Sequence, residues 1–376
     1  MRTDVIVIGA GIAGASIGYF LSRSVRVLVL EREAQPGYHT TGRSAALFAE
    51  SYGTPQVRGL TLASRAFFEL PPAGFTEHAV LGDRGALFVG TANQQAELDS
   101  LHTIVRAFTD RARRLAADEA RAMVPVLEPA FADGAVLDPL SADMDVHAIH
   151  QGFLRGIRAN GGAIACDAEV TTIDREDGQW GVRAGGQDHH APLLVNAAGA
   201  WCDVIARLAG ATPIGLVPKR RTAFTFAPPP DVSCARWPAV IGADESFYFK
   251  PDAGLLLGSP ANQDPMEPHD VRPEEEDVAT GIWRIEQATR LRIRRPASTW
   301  AGLRSFVADG DLVGGFDADR EGFFWCAAQG GYGIQTSPAM GETCAALLLG
   351  GPVPPQVAAF GVTAEMLSPL RLRSAR

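Results

Sequence analysis

The chain has 376 residues, 46% hydrophobic and 20% charged, which is enough apolar chain for about two domains and too much for a disordered protein. Its 34 Lys and Arg against 43 Asp and Glu give a net charge of -9, so no nucleic-acid partner is expected. The five cysteines are widely spaced and form no C-x-x-C, which argues against a disulfide framework and a zinc site; no metal is expected.

Residues 4–8, DVIVI, form a short β-branched run that reads as a buried parallel strand. The turn GAGIAG follows at 9–14, and a helical stretch runs to about residue 22. A second apolar run, VRVLVL at 25–30, reads as the next strand and ends on Glu31, 22 residues after Gly9. Strand, G-x-G-x-x-G, helix, strand and acid together make the dinucleotide-binding context. Gly9 permits the tight turn, Gly11 lets a pyrophosphate approach the backbone, and Gly14 lets the helix pack against the strand. The helix start at Ile12 then offers unpaired N–H groups to phosphate, and Glu31 accepts from ribose hydroxyls. Residues 5–21 carry no charge, but four glycines interrupt them and a second apolar run follows, so neither a signal peptide nor a membrane span is expected.

Further along, helices are expected over 54–70, 94–108, 116–124 and 145–160. Short strands are expected at 87–89, 168–173 (which includes Val170), 180–183 and 193–195. His147 and His150, three apart on the 145–160 helix, read as a surface or packing feature. Strands are also expected at 218–226, 245–250 and 254–258, and the acids at 274–277 open a helix. Arg290, Arg292, Arg294 and Arg295 read as a local exposed strand. Residues 323–328 form a hydrophobic strand that enters a glycine-rich loop and a final Ala- and Leu-rich helix.

Several runs carry a resemblance: GYHTTGRSAA, YGTPQVR, NAAGAWCD, PKRR, DESFY, WAGLRSFVADGD and AQGGYGIQTS, spread over 37–337. With the first glycine motif they make the chain resemble the FAD-dependent D-amino-acid oxidase/dehydrogenase family, closest to the bacterial D-arginine dehydrogenase type. The resemblance implies an α/β fold, with a glutathione-reductase-like FAD-binding Rossmann domain interleaved with an α+β substrate domain on a mixed or antiparallel sheet. The FAD domain is expected at 1–78, 145–217 and 301–376, and the substrate domain at 79–144 and 218–300.

It implies FAD as cofactor, contacted by the first motif and by Arg32, Thr41, Arg43, Ser44, Ala45, Val170, Ala198, Gly199, Gly331, Tyr332, Gly333 and Ile334. Arg221 and Arg304 would clamp a substrate carboxylate, because a guanidinium fork matches a carboxylate and stays charged. Tyr52 and Tyr248 would add hydroxyls and walls, and Gln335 would sit on the substrate-amine side. Side-chain selectivity falls to Leu47, Phe48, Ala49, Ala86, Ala239 and Ile241. The arginine-specific type has an acid at Ala86, a His at Leu47 and a Thr at Ala49, so neutral or apolar substrates are expected here. Asp83 or Glu50 would replace the acid only with a different geometry.

The implied reaction is oxidative deamination of a D-amino acid to a 2-oxo acid and ammonia, with hydride passing from Cα to flavin N5. Alternatives are glycine, a secondary amine such as sarcosine, a 2-hydroxy acid, or a flavin-binding subunit without catalysis. The partners are the small substrate and an electron acceptor, quinone-like or O2. The expected compartment is the cytoplasm, with peripheral contact at the inner membrane left open.

Overall fold

The computed structural model describes residues 3–230 and 232–373. The first strand, Val5–Ile8, lies inside a six-stranded sheet because its four side chains are apolar on both faces and all buried. It pairs in parallel with Val27–Leu30 on one side and Leu193–Asn196 on the other, so Ile8 sits between Leu30 and Asn196. Ala163–Ala165 extends one edge in parallel. Phe323–Ala327 extends the other edge, and Val313–Phe316 closes it antiparallel. Strands far apart in the sequence thus meet at one set of carboxyl ends, where open α/β sheets bind ligands.

The helix Ile12–Leu21 is buried along its whole length. Gly333–Leu348 lies against it at Gly341, whose added Cβ would stand 2.8 Å from Ser16. Val146–Ala159 lies against it through Gly156 on Tyr19 and Gly18 on Ile157. The other sheet face carries Cys202–Leu208 and an antiparallel meander of Val170–Glu176, Gln179–Ala184 and Gln187–Ala191.

The second large sheet is mixed. Its order runs Asp264–Pro265, Val217–Phe226, Leu255–Ser259, Tyr248–Asp252, Ala239–Gly242, Ala86–Gly90, Gly134–Asp138, Arg113–Ala116, and Ser298–Phe306 also pairs with Val217–Phe226. Only Ala239–Gly242 and Ala86–Gly90 are parallel neighbours within it. The α/β class with a mixed second sheet is as the sequence led one to expect.

Two expectations differ. The strand expected over 245–250 begins at Tyr248, because Glu245 has φ +55 in a tight turn closed by Gly242 and Phe247. Residues 290–295 form no strand. Leu291 and Ile293 face the core while the arginines point outward, so the alternation is real but no neighbouring strand pairs with it.

Candidate active site

The chain leaves the first strand at Gly9, whose φ of +99 favours glycine and whose added Cβ would stand 2.5 Å from the Ala197 carbonyl oxygen. Gly11 is the N-cap of the first helix and offers no side-chain cap. A Cβ on Gly14 would come within 1.8 Å of the Gly9 carbonyl oxygen, so helix and turn touch backbone to backbone. Glu31 is buried and holds the turn from the second strand: Oε2 accepts from the Ala10 amide at 2.9 Å, and Oε1 accepts from the Glu33 amide at 3.0 Å. Thr41 Oγ1 accepts from the Ile12 amide at 2.9 Å, so the 37–45 loop caps the helix from outside.

These elements wall one side of a cleft enclosing about 1610 Å³ of empty space, part of it open to solvent. At one end stand Arg32, Glu169 and Val170. The middle is Gly9, Gly11, Ile12, Thr41, Ser44, Ala45, Ala198 and Gly199. At the far end are Arg221, Tyr248, Arg304, Gly331, Gly333 and Ile334. A long groove of bare backbone over a helix start, with a buried acid at the second strand, fits an extended dinucleotide such as FAD. Gly14 and Tyr332 do not line it. Gly14 acts by packing, and the Tyr332 ring lies edge-on to Tyr52 at 5.1 Å and to Phe306 at 6.3 Å. Arg43 lines the cleft, but its guanidinium is bonded to Asp270, Val271 O and Ala301 O, tying the loop to the second sheet.

The same cleft takes in residues not singled out from the sequence. Thr40 Oγ1 donates to Leu303 O at 2.8 Å, and His39 contacts Glu33 at 2.9 Å and the Trp201 ring at 4.8 Å. Arg32 stands over Trp201 at 5.0 Å. Ser305, Gln329 and Gly330 complete the far end. Most of these belong to the runs GYHTTGR, NAAGAW, LRSF and AQGGYG, so the signal was present without individual roles.

The arginine pair follows from strand register. Val217–Phe226 and Ser298–Phe306 are antiparallel, with Lys219 opposite Arg304 and Arg221 opposite Gly302. Side chains two apart share a face, so Arg221 and Arg304 are diagonal neighbours on one face, with bare Gly302 between them. Arg304 lies flat on Gly331, where an added Cβ would be 2.7 Å from Nη1. Arg221 Nε donates to the Asn262 carbonyl at 2.9 Å. Burial, and then the like charge of Arg304, push the Arg221 guanidinium below its ordinary value, with Tyr248 and Tyr52 opposing. Among the described residues neither arginine forms an ion pair. Burial, with Tyr52 beside it, drives the Tyr332 hydroxyl far upward, so it stays a neutral donor.

Some expected site residues stand elsewhere. Gln335 is buried and its amide is already used: Nε2 donates to Thr61 Oγ1 at 2.8 Å and Oε1 accepts from the Ala49 amide at 3.3 Å. It braces the 47–49 segment rather than facing the cleft. Tyr52 meets the site through Tyr332 and does not line the cleft.

None of Leu47, Phe48, Ala49, Ala86, Ala239 and Ile241 lines the cleft. Strand alternation turns Phe48 into the core against Phe68, while Leu47 joins Ile241 beside Phe88. Ala86 and Ala239 are paired and buried in the second sheet. Glu50 is buried and bonded to Arg65, Asp83 is exposed on an edge strand, and neither lines the cleft where a cationic substrate would sit.

The family model described as DAO, FAD dependent oxidoreductase, matches residues 4–347. The glycine oxidase of Bacillus licheniformis is 25% identical, over 94% of this chain and 94% of its own. The bovine FAD-dependent oxidoreductase domain-containing protein 1 is 23% identical, over 93% of this chain and 82% of its own. The structure of L-proline dehydrogenase from P. horikoshii superposes with a TM-score of 0.84 at 21% identity, covering 100% of this chain and 99% of that one.

Proposed function

The chain belongs to the DAO family of FAD dependent oxidoreductases, and from that premise we propose that it oxidises the Cα–N bond of a neutral α-amino acid of the D series. The product is an imino acid, which water hydrolyses to a 2-oxo acid and ammonia. The observation that carries this reading is the pair Arg221 and Arg304, two unpaired guanidiniums on one sheet face at the end of the FAD cleft. Two cations held together without an acid are unfavourable unless an anion joins them, and a carboxylate matches their forks.

FAD, when bound, supplies the two-electron acceptor for the hydride lost from Cα. The residues of the chain do the rest. Arg221 and Arg304 hold the carboxylate from neighbouring strands of one sheet face. Tyr248 lines the cleft beside Arg221 and adds a hydroxyl, while Tyr52 and Tyr332 pack edge to face near the clamp. The amine must be neutral for its lone pair to assist loss of hydride. Among the described residues no His or carboxylate lines the clamp end, Glu245 acting there only on Tyr332 and outside the lining, so the amine gives its proton to water. The oxidation rate therefore falls as pH drops below the bound amine's pKa, and a flat pH profile would refute this.

Neither Glu50 nor Asp83 lines the cleft, which supports a neutral side chain over arginine or lysine, unlike the arginine-specific type that the sequence resembles. The domain division 1–78, 145–217, 301–376 against 79–144, 218–300 belongs to the same proposal, as do a cytoplasmic setting and an acceptor that is O2 or quinone-like. Among the described residues no helix is long and apolar enough to cross a membrane.

The test is anaerobic bleaching of the flavin by single amino acids. Neutral D-amino acids should bleach it far faster than D-Arg, D-Lys or the L series. The likeness to glycine oxidases favours a second reading, glycine or an N-substituted glycine. Faster bleaching by glycine or sarcosine than by any D-amino acid would establish it.

A further inference from the structure

We infer that His150 is a positioning residue for the cofactor cradle: its ring holds the Ala10 carbonyl from behind and so aims the Gly11 amide into the cleft. The helix Val146–Ala159 that carries it starts at Asp145, which accepts from the Ala148 amide at 2.8 Å. One turn on, the His150 ring is buried, with Nε2 2.8 Å from the Ala10 carbonyl oxygen. A carbonyl only accepts, so Nε2 carries the proton.

Ala10 is therefore gripped at both ends, its amide by Glu31 and its carbonyl by His150. The Ala10–Gly11 peptide is planar and trans, so its C=O and N–H point in opposite directions. Fixing the carbonyl toward His150 turns the Gly11 N–H away from it. That amide finds no hydrogen-bond partner among the described residues, and Gly11 lines the cleft. The ring also meets the facing loop, since a Cβ on Gly37 would be 2.8 Å from Cε1 and 3.0 Å from Nδ1. One imidazole thus touches both the glycine turn and the 37–45 loop, which together form one side of the cleft in which the cofactor would lie.

The ring works neutral. Burial lowers its pKa and the charge of His147 on the same helix adds to that, against the Ala10 carbonyl, which favours the proton. The turn presents only the Ala10 main chain to the ring, and the loop presents Gly37. Among the described residues no carboxylate bonds it, Glu31 being engaged on the Ala10 amide. As pH falls from the ordinary histidine range through the lowered pKa, the cradle must open to admit the charge, and FAD affinity falls with it.

The experiment titrates apoprotein with FAD by quenching of flavin fluorescence, with no substrate present, so its result does not depend on which amino acid is oxidised. His150→Leu should raise the FAD Kd by about five- to tenfold, the range expected for one lost buried hydrogen bond. His150→Gln puts an amide near the place of Nε2 and should stay within about twofold of the parent while losing the acid limb of the FAD Kd. With FAD saturating, the substrate KM of the Leu variant should match the parent. Parent-like FAD affinity in His150→Leu, or equal weakening in His150→Gln, overturns the assignment. If the Leu apoprotein does not fold by circular dichroism, His150→Asn, too short to reach Ala10, takes its place. Weak FAD binding is again expected, and parent-like binding again overturns it.

Discussion

The cofactor cradle and the arginine pair face one cleft but are made of different material. The cradle is backbone: Gly9, Gly11 and Gly14 act by what they lack, and Glu31, Thr41 and His150 hold main-chain groups in place. The pair is side chain, two charges from strands whose arginines lie 83 positions apart in the sequence. Cradle contacts support the fold and the ligand together. The pair adds little to the fold beyond the Arg221–Asn262 hydrogen bond, since Arg221 is buried beside a like charge and among the described residues no acid pairs with it. The two walls should therefore respond oppositely to substitution, one losing stability with binding and the other losing catalysis without stability.

The largest effect tests the pair. Arg221→Met or Arg304→Met should lower kcat/KM by about 10³, the cost of a charge-assisted contact of about 3–5 kcal/mol. FAD content should be unchanged, and Tm should hold or rise as the repulsion is relieved. Arg221→Lys keeps charge without the fork and should recover only part of the loss. Concerted loss of Tm and FAD in the Met variants would break the comparison. On the other wall, Gly14→Ala drives a Cβ into the Gly9 carbonyl, a contact between two main-chain segments that cannot swing aside. Overpacking of this kind costs about 3 kcal/mol, so Tm and FAD occupancy should fall together. Activity per bound flavin should be kept, and a drop in it would blur the distinction between the walls.

The contrast also accounts for what the sequence made legible. The cradle is local: turn, helix start and acid lie within residues 9–31, and each glycine's role follows from its spacing. The arginine pair came through resemblance, and its physical basis, the register of Val217–Phe226 on Ser298–Phe306, is set by long-range pairing that no local pattern reveals. Gln335 shows the limit. Its run AQGGYGIQTS points at the cofactor, but whether one amide turns inward depends on Thr61 and Ala49 arriving from elsewhere. Leu47 and Phe48 form a two-residue strand, too short for periodicity to orient, and only pairing with Ala142 and Asp143 decides which side is core. His150 read as packing, which is true of its helix, because the carbonyl it meets lies 140 residues away.

The smallest expected effect lies behind the cradle, at the start of the helix that carries His150. Asp145 caps that helix through the Ala148 amide and pairs with His78 at 3.0 Å. Burial alone would raise its carboxyl, but the Ala148 amide, His78 and His147 more than offset it, and the net shift is downward. A carboxyl with a folded pKa below its unfolded one binds fewer protons when folded. Its stabilisation is complete above the usual aspartate range and is lost as pH falls through about 4 toward the lowered value. Asp145→Ala should therefore cost about 1 kcal/mol at neutral pH, the value of one N-cap, and the parent and variant Tm curves should converge in acid. Asp145→Asn keeps an acceptor for Ala148 and should lose only the part due to charge, which solvent screens at this exposed site. If the cap also sets the His150 ring, the Ala variant should show a modest rise in FAD Kd that the Asn variant does not share. A Tm gap between parent and Asp145→Ala that persists unchanged to pH 3 would show that the carboxyl acts by shape and not by charge.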